Sequence, residues 1–288
     1  MKRTDWILLA ALIVVSSAWC LTASRQIGAT FDEPFYLQGG IDYWRHGHFG
    51  TLLAAGTMPL AQHLQTLPVY LAERNAGRPF TIEHDLGVML QLARPVTLVF
   101  WILLLASTMR LGRILGGLWG GRAAVSLIAF EPNFLAHASL ATTDIALAAG
   151  IVTFATELLT RREQAALWRV GIPAVWFGIA LSAKVSALAL LPFVAAIALL
   201  RTPPTRSSVL GLSADLAWIG VLGGSFAVLY CGTGGQTWLA GTLAGMPAGH
   251  WLRPAVSWLG LRTIRPARRC SLPAQPTRVP SGTSCRCC

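Results

Sequence analysis

The segment WILLAALIVVSSAWCLTAS, residues 6–24, decides the fold class. It contains no charged side chain, and a helix rising about 1.5 Å per residue over that length crosses a hydrocarbon core of about 30 Å. Lys2 and Arg3 precede it, which is also the flank of a cleaved signal peptide. The run is long, however, and lacks a clear small-residue cleavage site. We therefore expect an uncleaved membrane anchor.

The composition of the chain extends this interpretation to the whole protein. Of its 288 residues, 54% are hydrophobic and 12% are charged, with a mean hydropathy of +0.56. Soluble domains carry about 25% charged residues. The net charge of +11 does not indicate a nucleic-acid binder, since seven arginines and no acids lie from Arg253 onward. The composition excludes most soluble enzymes and nucleic-acid-binding proteins.

Six more apolar stretches follow the first one. They cover residues 86–109, 115–138, 142–160, 170–183, 185–200 and 216–231. Lipid requires every backbone polar group to be bonded internally, which favours helices throughout. We expect an all-α, polytopic membrane protein with about seven transmembrane helices. Its long first loop, residues 25–85, should carry short amphipathic helices.

Charge asymmetry orients these spans. With the N-terminus in the cytoplasm, alternation places ten basic residues on the inner side and only Lys184 in the short outer loops, as the positive-inside rule requires. The ten are Lys2, Arg3, Arg110, Arg113, Arg122, Arg161, Arg162, Arg169, Arg201 and Arg206. Eight of the twelve acids then lie outside: Asp32, Glu33, Asp42, Glu73, Glu83, Asp85, Glu131 and Asp144. We expect a multi-pass protein of the inner (plasma) membrane whose site faces outward.

The C-terminal residues 262–288 differ from the rest of the chain. Residues 1–261 form the transmembrane domain, whereas the remainder has no apolar period and no acids. One interpretation is a disordered extension. The interpretation we favour is a truncated or out-of-frame end of a longer protein.

Four of the six cysteines lie in residues 262–288, without zinc-finger spacing, and the loop histidines His46, His48, His63 and His84 match no ligand pattern. We expect no metal site.

Two adjacent carboxylates, Asp32 and Glu33, follow the first span in the sequence ATFDEPFYLQGG. A structural interpretation makes Asp32 the N-cap of a helix that has Pro34 at an early position. A functional interpretation makes Asp32 a general base beside the bilayer. The two interpretations are compatible.

Further polar residues lie in two otherwise apolar regions. The connection EPNFLAHASLATTD, residues 131–144, carries Asn133, His137 and Asp144. Lys184 interrupts a stretch, residues 170–200, that is too long for one transmembrane helix, so we expect a tight hairpin there. Lys184 then either snorkels to lipid headgroups or neutralises a bound phosphate.

Together these segments resemble the polyprenyl-phosphate-dependent glycosyltransferases of the GT-C class, specifically glycosyltransferase family 39. That family includes protein O-mannosyltransferases and aminoarabinose transferases acting on lipid A. The resemblance rests on FDEPFYLQGGIDYWRHGHFG, TMPLAQHLQTLP, EPNFLAHASLATTD and GIALSAKVSA, in that order. In the second of these, Met58 stands where the family commonly has a second proline or a polar residue.

The resemblance implies a role for each matching residue. Asp32 would be the catalytic base and Glu33 would orient it. Asn133, His137 and Asp144 would bind substrate, and Lys184 would lie near the lipid phosphate. The donor would be a polyprenyl-phosphate sugar, the acceptor a protein, lipid or glycan, and no other cofactor is expected. Two alternatives stay open: a transporter or flippase for lipid-linked sugars, and a non-catalytic remnant.

Overall fold

The computed structural model describes residues 3–202 and 205–245, with backbone only for 233–245. Every regular element in these ranges is helical, which confirms the all-α prediction. The helices are α1 Arg3–Gln26, α2 Glu33–His46, α3 Gly50–Ala54, α4 Leu60–Ala76, α5 Ile82–Ala93, α6 Thr97–Phe130, α7 Pro132–Ala138, α8 Asp144–Thr160, α9 Ala166–Ala183, α10 Ala187–Leu200 and α11 Arg206–Gly245. A single 3₁₀ turn, Arg94–Val96, links α5 to α6. The expected tail, residues 262–288, lies outside the described residues.

Four helical stretches are long and apolar enough to cross a membrane. They are Arg3–Gln26, Ile82–Phe130, Ala166–Ala183 and Arg206–Gly232. Helix α10 is apolar but has only 14 residues, and α8 has 17. The structure therefore provides four candidate membrane spans, and the count of seven stays a prediction.

Helix α6 reverses direction at Gly116–Gly117. Gly117 has φ 66° and ψ −158°, a conformation that essentially only glycine adopts. A methyl group built on Gly120 would lie 2.8 Å from the carbonyl oxygen of Gly112, although eight residues along a straight helix span about 12 Å. Arg113 and Arg122, on either side of the turn, both bind Asp5. The two arms therefore pack as an antiparallel hairpin.

Small residues allow the helices to approach closely. A methyl group on Gly150 of α8 would lie 2.8 Å from the Ala180 side chain of α9, and one on Gly178 would lie 2.9 Å from the Gly223 carbonyl of α11. Such small-residue contacts are typical of helix packing in membranes. Large buried side chains fill the space between them, among them Trp101, Phe154 and Phe177.

Charged residues collect at two opposite ends of this bundle. One end, called here the arginine end, holds Asp5 with Arg113 and Arg122, and Glu157 with Arg110 and Arg161. The other, called here the acidic end, holds the C-terminus of α1, the reversals at Glu131 and Lys184, and helices α2 to α5. Three of these helices, α2, α4 and α5, pack around Leu37, Ile41, Val69 and Met89, while Leu53 of α3 packs in a separate cluster with Phe49 and Met58.

Candidate functional site

Lys184 lies in the break between α9 and α10. Its extended backbone, φ −160° and ψ 132°, ends α9, and α10 begins three residues later at Ala187. Arg162, just before α9, donates to the Ala198 carbonyl near the end of α10, so the chain reverses at this break and the predicted hairpin is present. Its Nζ donates to Oδ1 of Asp144 at 2.6 Å, and the lysine side chain is 42% exposed. The ammonium is thus held at the acidic end but stays accessible to solvent.

Asp144 lies between this lysine and a histidine. It occupies the first turn of α8, where the helix dipole favours a negative charge, while Thr143 takes the N-cap position. Its second oxygen, Oδ2, is 3.3 Å from Nδ1 of His137. The structure therefore joins three of the residues predicted from sequence, His137, Asp144 and Lys184, in one cluster, called here the polar triad.

Asp32 lies near this triad. It takes the N-cap position of α2 with no side-chain cap bond, and no hydrogen bond or ion pair of its side chain is found in the part of the chain that the structure describes. Tyr36, one turn later, lies close enough to Asp32, Asp144 and Lys184 for each charge to affect its pKa. Burial raises the pKa of the Tyr36 hydroxyl, the charges of Asp32 and Asp144 raise it further, and Lys184 opposes them. The Tyr36 hydroxyl therefore lies within electrostatic reach of all three charges.

Glu33 points away from this cluster into the protein. It is fully buried and forms a two-pronged ion pair with Arg94, whose Nε and Nη2 donate to Oε1 and Oε2 at 2.9 and 2.7 Å. The backbone amides of Thr30 and Ala141 also donate to it. Burial alone would raise the pKa of the Glu33 carboxyl, but the bonds from Arg94 and the two amides together lower it.

Arg94 also closes the end of α1. Its Nη1 donates to the carbonyl oxygens of Ser24 and Ile27, and its Nη2 donates to that of Gly28, each at 2.7 Å. Helix ends leave carbonyls without intrahelical partners, and here a guanidinium satisfies them. Neither Arg94 nor Tyr36 is among the site residues predicted from the sequence. Tyr36 carries a signal, since it lies four residues after Asp32 on one helix face.

Asn133 serves the start of α7 rather than the polar triad. Glu131 is the N-cap of α7, accepting from the Phe134 amide at 2.8 Å, and the Asn133 side chain donates to Glu131 at 2.9 Å. His137 lies one turn further along the same helix. Asn133 thus helps to fix the helix that carries His137, and no direct bond joins it to the triad among the described side chains.

An apolar groove of about 720 Å³ reaches the break between α9 and α10. It lies between the α9–α10 hairpin and α11, and Val185 is the residue directly after the lysine. Its lining is Met58, Leu181, Val185, Leu188, Gly220, Val221, Gly224, Ser225, Ala227, Val228, Leu229 and Cys231. None of these side chains is charged. Lys184 does not line the groove, so a ligand with an apolar chain there meets the ammonium only if its anionic head extends past Val185.

A second polar cluster lies between α11 and the short helices. His63 Nδ1 and the Tyr230 hydroxyl are 2.6 Å apart, and Tyr43 stacks on Phe49 with ring centres 4.1 Å apart. This contact ties α4 to α11 beside the groove. In residues 3–202 and 205–232, no group of three or more His, Cys, Asp or Glu side chains could hold a metal ion, and the expectation of no metal stays a prediction.

No family model, curated protein or solved structure matches the chain. The site offers an accessible carboxylate at Asp32, an accessible cation at Lys184 and an apolar groove that reaches the residue after that cation.

Proposed function

We propose that the chain is an integral membrane glycosyltransferase that moves a sugar from a polyprenyl-phosphate donor to an acceptor hydroxyl. The observation that carries the proposal is the grouping of Lys184, Asp144 and Asp32 at the acidic end, with an uncharged groove that reaches Val185, the residue after the lysine. The order of the four sequence motifs supports the same reaction.

The groove and Lys184 bind the donor on this proposal. A polyprenyl chain lies along Leu181, Leu188 and α11, where it replaces lipid contacts without exposing polar backbone. The phosphate then accepts from the Lys184 ammonium, which exchanges its half-exposed partner Asp144 for the ligand. A charge-assisted bond of this kind strengthens as the phosphate gains charge on leaving. Lys184 thus stabilises the leaving group.

Asp32 activates the acceptor. Its carboxylate takes the proton of the acceptor hydroxyl while the hydroxyl oxygen forms a bond to the anomeric carbon of the sugar. The bond from that carbon to the phosphate oxygen breaks, and the polyprenyl phosphate leaves with the electron pair. The configuration at carbon is inverted. One base and one cation suffice, so the paired carboxylates of a retaining glycosidase are not required.

The remaining predicted residues position these groups. Glu33, through Arg94, fixes the backbone next to Asp32. His137 holds Asp144, and Asn133 holds the start of α7. On this proposal the acidic end faces outward from the plasma membrane and the arginine end faces the cytoplasm, as the distribution of basic residues predicts.

Sugar transfer in vesicles tests the proposal. The full chain is reconstituted with a radiolabelled polyprenyl-phosphate sugar and candidate acceptors, and wild type is compared with Asp32→Asn. Because Asp32 is exposed, the variant should fold normally while its kcat falls about 100- to 10,000-fold, the usual contribution of a general base. Glu83→Gln, an exposed carboxylate outside the site, is the matched control and should keep full activity.

Two other outcomes identify the alternative functions. Labelled sugar that crosses the vesicle membrane without joining an acceptor would indicate a transporter of lipid-linked sugars. If neither wild type nor Asp32→Asn transfers sugar although both insert correctly, the chain is a non-catalytic remnant. Unchanged transfer by Asp32→Asn would remove Asp32 from the mechanism.

A further inference from the structure

A second cavity lies at the arginine end, on the opposite side of the bundle from the polar triad. It has a volume of about 640 Å³ and forms where α8 and α10 end and α9 and α11 begin. Its charged lining residues are Arg162, Glu163, Arg169, Arg201 and Asp215, with Thr160, Thr202 and Ser208 adding hydroxyl groups. The proposed transfer reaction uses none of these groups.

Two of the three arginines carry charge that no described carboxylate neutralises. Arg169 forms an ion pair with Asp215 at 2.9 Å. Arg162, by contrast, donates to the Ala198 carbonyl and the Thr202 hydroxyl, and Arg201 donates to the carbonyls of Ile114 and Leu115. These partners are neutral oxygens. The cavity therefore keeps a net positive charge even when Glu163 on its rim is counted.

An exposed tryptophan beside the cavity favours a position near the lipid headgroups. Trp168, at the start of α9, is 51% exposed, and tryptophan is enriched where membrane helices meet the membrane–water interface. Leu158, Leu159 and Leu212 form the apolar part of its wall. A ligand with a phosphate and acyl chains could contact both the positively charged lining and the apolar wall.

We propose that this cavity binds the phosphate of a phospholipid headgroup through Arg162 and Arg201, with the acyl chains directed into the bilayer. Basic pockets between membrane helices recognise anionic lipid heads in this way. The Ser208 hydroxyl, whose oxygen accepts from Thr205, keeps its own proton as a further donor beside the phosphate. A lipid bound here also braces the α6 turn, because Arg201 already holds the carbonyls of Ile114 and Leu115.

Native mass spectrometry of the detergent-purified full chain tests this site. The protein is titrated with phosphatidylglycerol and, separately, with a diacylglycerol that has the same chains and no phosphate. We expect an adduct with phosphatidylglycerol alone. The double variant Arg162→Gln with Arg201→Gln should bind it about 30-fold more weakly, as expected for two lost charges near a headgroup. Arg25→Gln, an exposed arginine at the acidic end, should bind like wild type.

Two further arms make the result decisive. The charge-retaining variant Arg162→Lys with Arg201→Lys should keep the adduct within a few-fold, which separates charge from a merely structural effect at Ile114 and Leu115. Equal binding of diacylglycerol, or equal binding by the glutamine variant, would overturn the proposal. Release of the lipid by inorganic phosphate at millimolar concentration would assign the cavity to a free anion instead.

Discussion

Glu33 and Arg94 join three segments that are far apart in sequence. Arg94 donates to the Ser24 and Gly28 carbonyls at the end of α1. Glu33 is the first residue of α2 and accepts from the Ala141 amide in the connection before α8. Removing one partner from a buried ion pair costs about 3–5 kcal/mol because the other charge is left without compensation. The residue next to Asp32 is therefore rigidly placed, which orients the proposed base.

We predict that this ion pair makes stability depend on acidic pH. The folded-state pKa of Glu33 lies below its ordinary value of 4.5, so its contribution to stability is complete above that pH. The contribution is lost as the pH falls through the folded-state pKa. Thermal unfolding of wild type and Glu33→Gln in detergent measures this. The variant should unfold at a lower temperature than wild type at neutral pH, and this difference in unfolding temperature should shrink below about pH 4.5.

Glu83→Gln is the control for other carboxylates, because Glu83 is exposed. The unfolding temperature of Glu83→Gln should stay close to that of wild type at every pH. A difference for Glu33→Gln that is constant down to about pH 3 would contradict the assigned role of the carboxylate charge.

At the same scale we predict a binding role for Lys184. Lys184→Ala removes the cation beside the groove, and a charge-assisted hydrogen bond is worth about 1.5–3 kcal/mol, so KM for the lipid donor should rise about 10- to 100-fold. Lys184→Arg keeps the charge and should lose less. Steady-state kinetics over a donor titration measures both, and an unchanged KM in Lys184→Ala would remove the lysine from donor binding.

Some site residues could be predicted from the sequence and others could not. Asp144 and Lys184 stand out because a charge in an apolar stretch needs a reason, and the structure does bring them together with His137. The partner of Glu33 could not be predicted. Arg94 lies 61 residues away from Glu33. The local sequence does not indicate that Glu33 is buried while its neighbour Asp32 is exposed. Asn133 shows the reverse case, since capping explains a residue that the resemblance assigns to substrate.

Among the helices, α6 shows how a turn is built within an apolar stretch. The sequence predicts a boundary between residues 109 and 115, and the reversal occurs at Gly116–Gly117. Gly112, Gly120 and Gly121 let the two arms touch, because a side chain at any of them would collide with the opposite arm. The apolar stretches and basic residues predict a turn just before its observed position, and they do not reveal the conformation that makes Gly117 necessary.

We predict that Gly117→Ala destabilises the α6 hairpin. An alanine at φ 66° and ψ −158° is strained by about 1–3 kcal/mol. Gly116→Ala is the matched control, since Gly116 has φ −130° and a methyl group there meets no atom within 4 Å. Unfolding of both variants in detergent measures the difference. Equal stability would mean that the hairpin does not depend on the Gly117 conformation.

The whole molecule is organised by the separation of its charges. The arginine end collects Arg110, Arg113, Arg122 and Arg161 around two buried acids, Asp5 and Glu157. Sequence could predict this separation because the positive-inside rule acts on loops of known order. It could not predict the two cavities, since the lining residues come from helices whose contacts depend on glycine packing between distant segments.

We predict, finally, that α9 carries the chain across the membrane from the cytoplasm to the outside. Ser186 lies after α9 and Gln164 lies before it, and both are exposed. In a background where Cys270, Cys285, Cys287 and Cys288 are replaced by serine, Cys20 and Cys231 stay buried. A membrane-impermeant maleimide should label Ser186→Cys in intact cells and Gln164→Cys only after permeabilisation, because their helix ends lie on opposite faces. Labelling of both from one side would mean that α9 does not span, and the donor groove beside Lys184 would then lose its place in the bilayer.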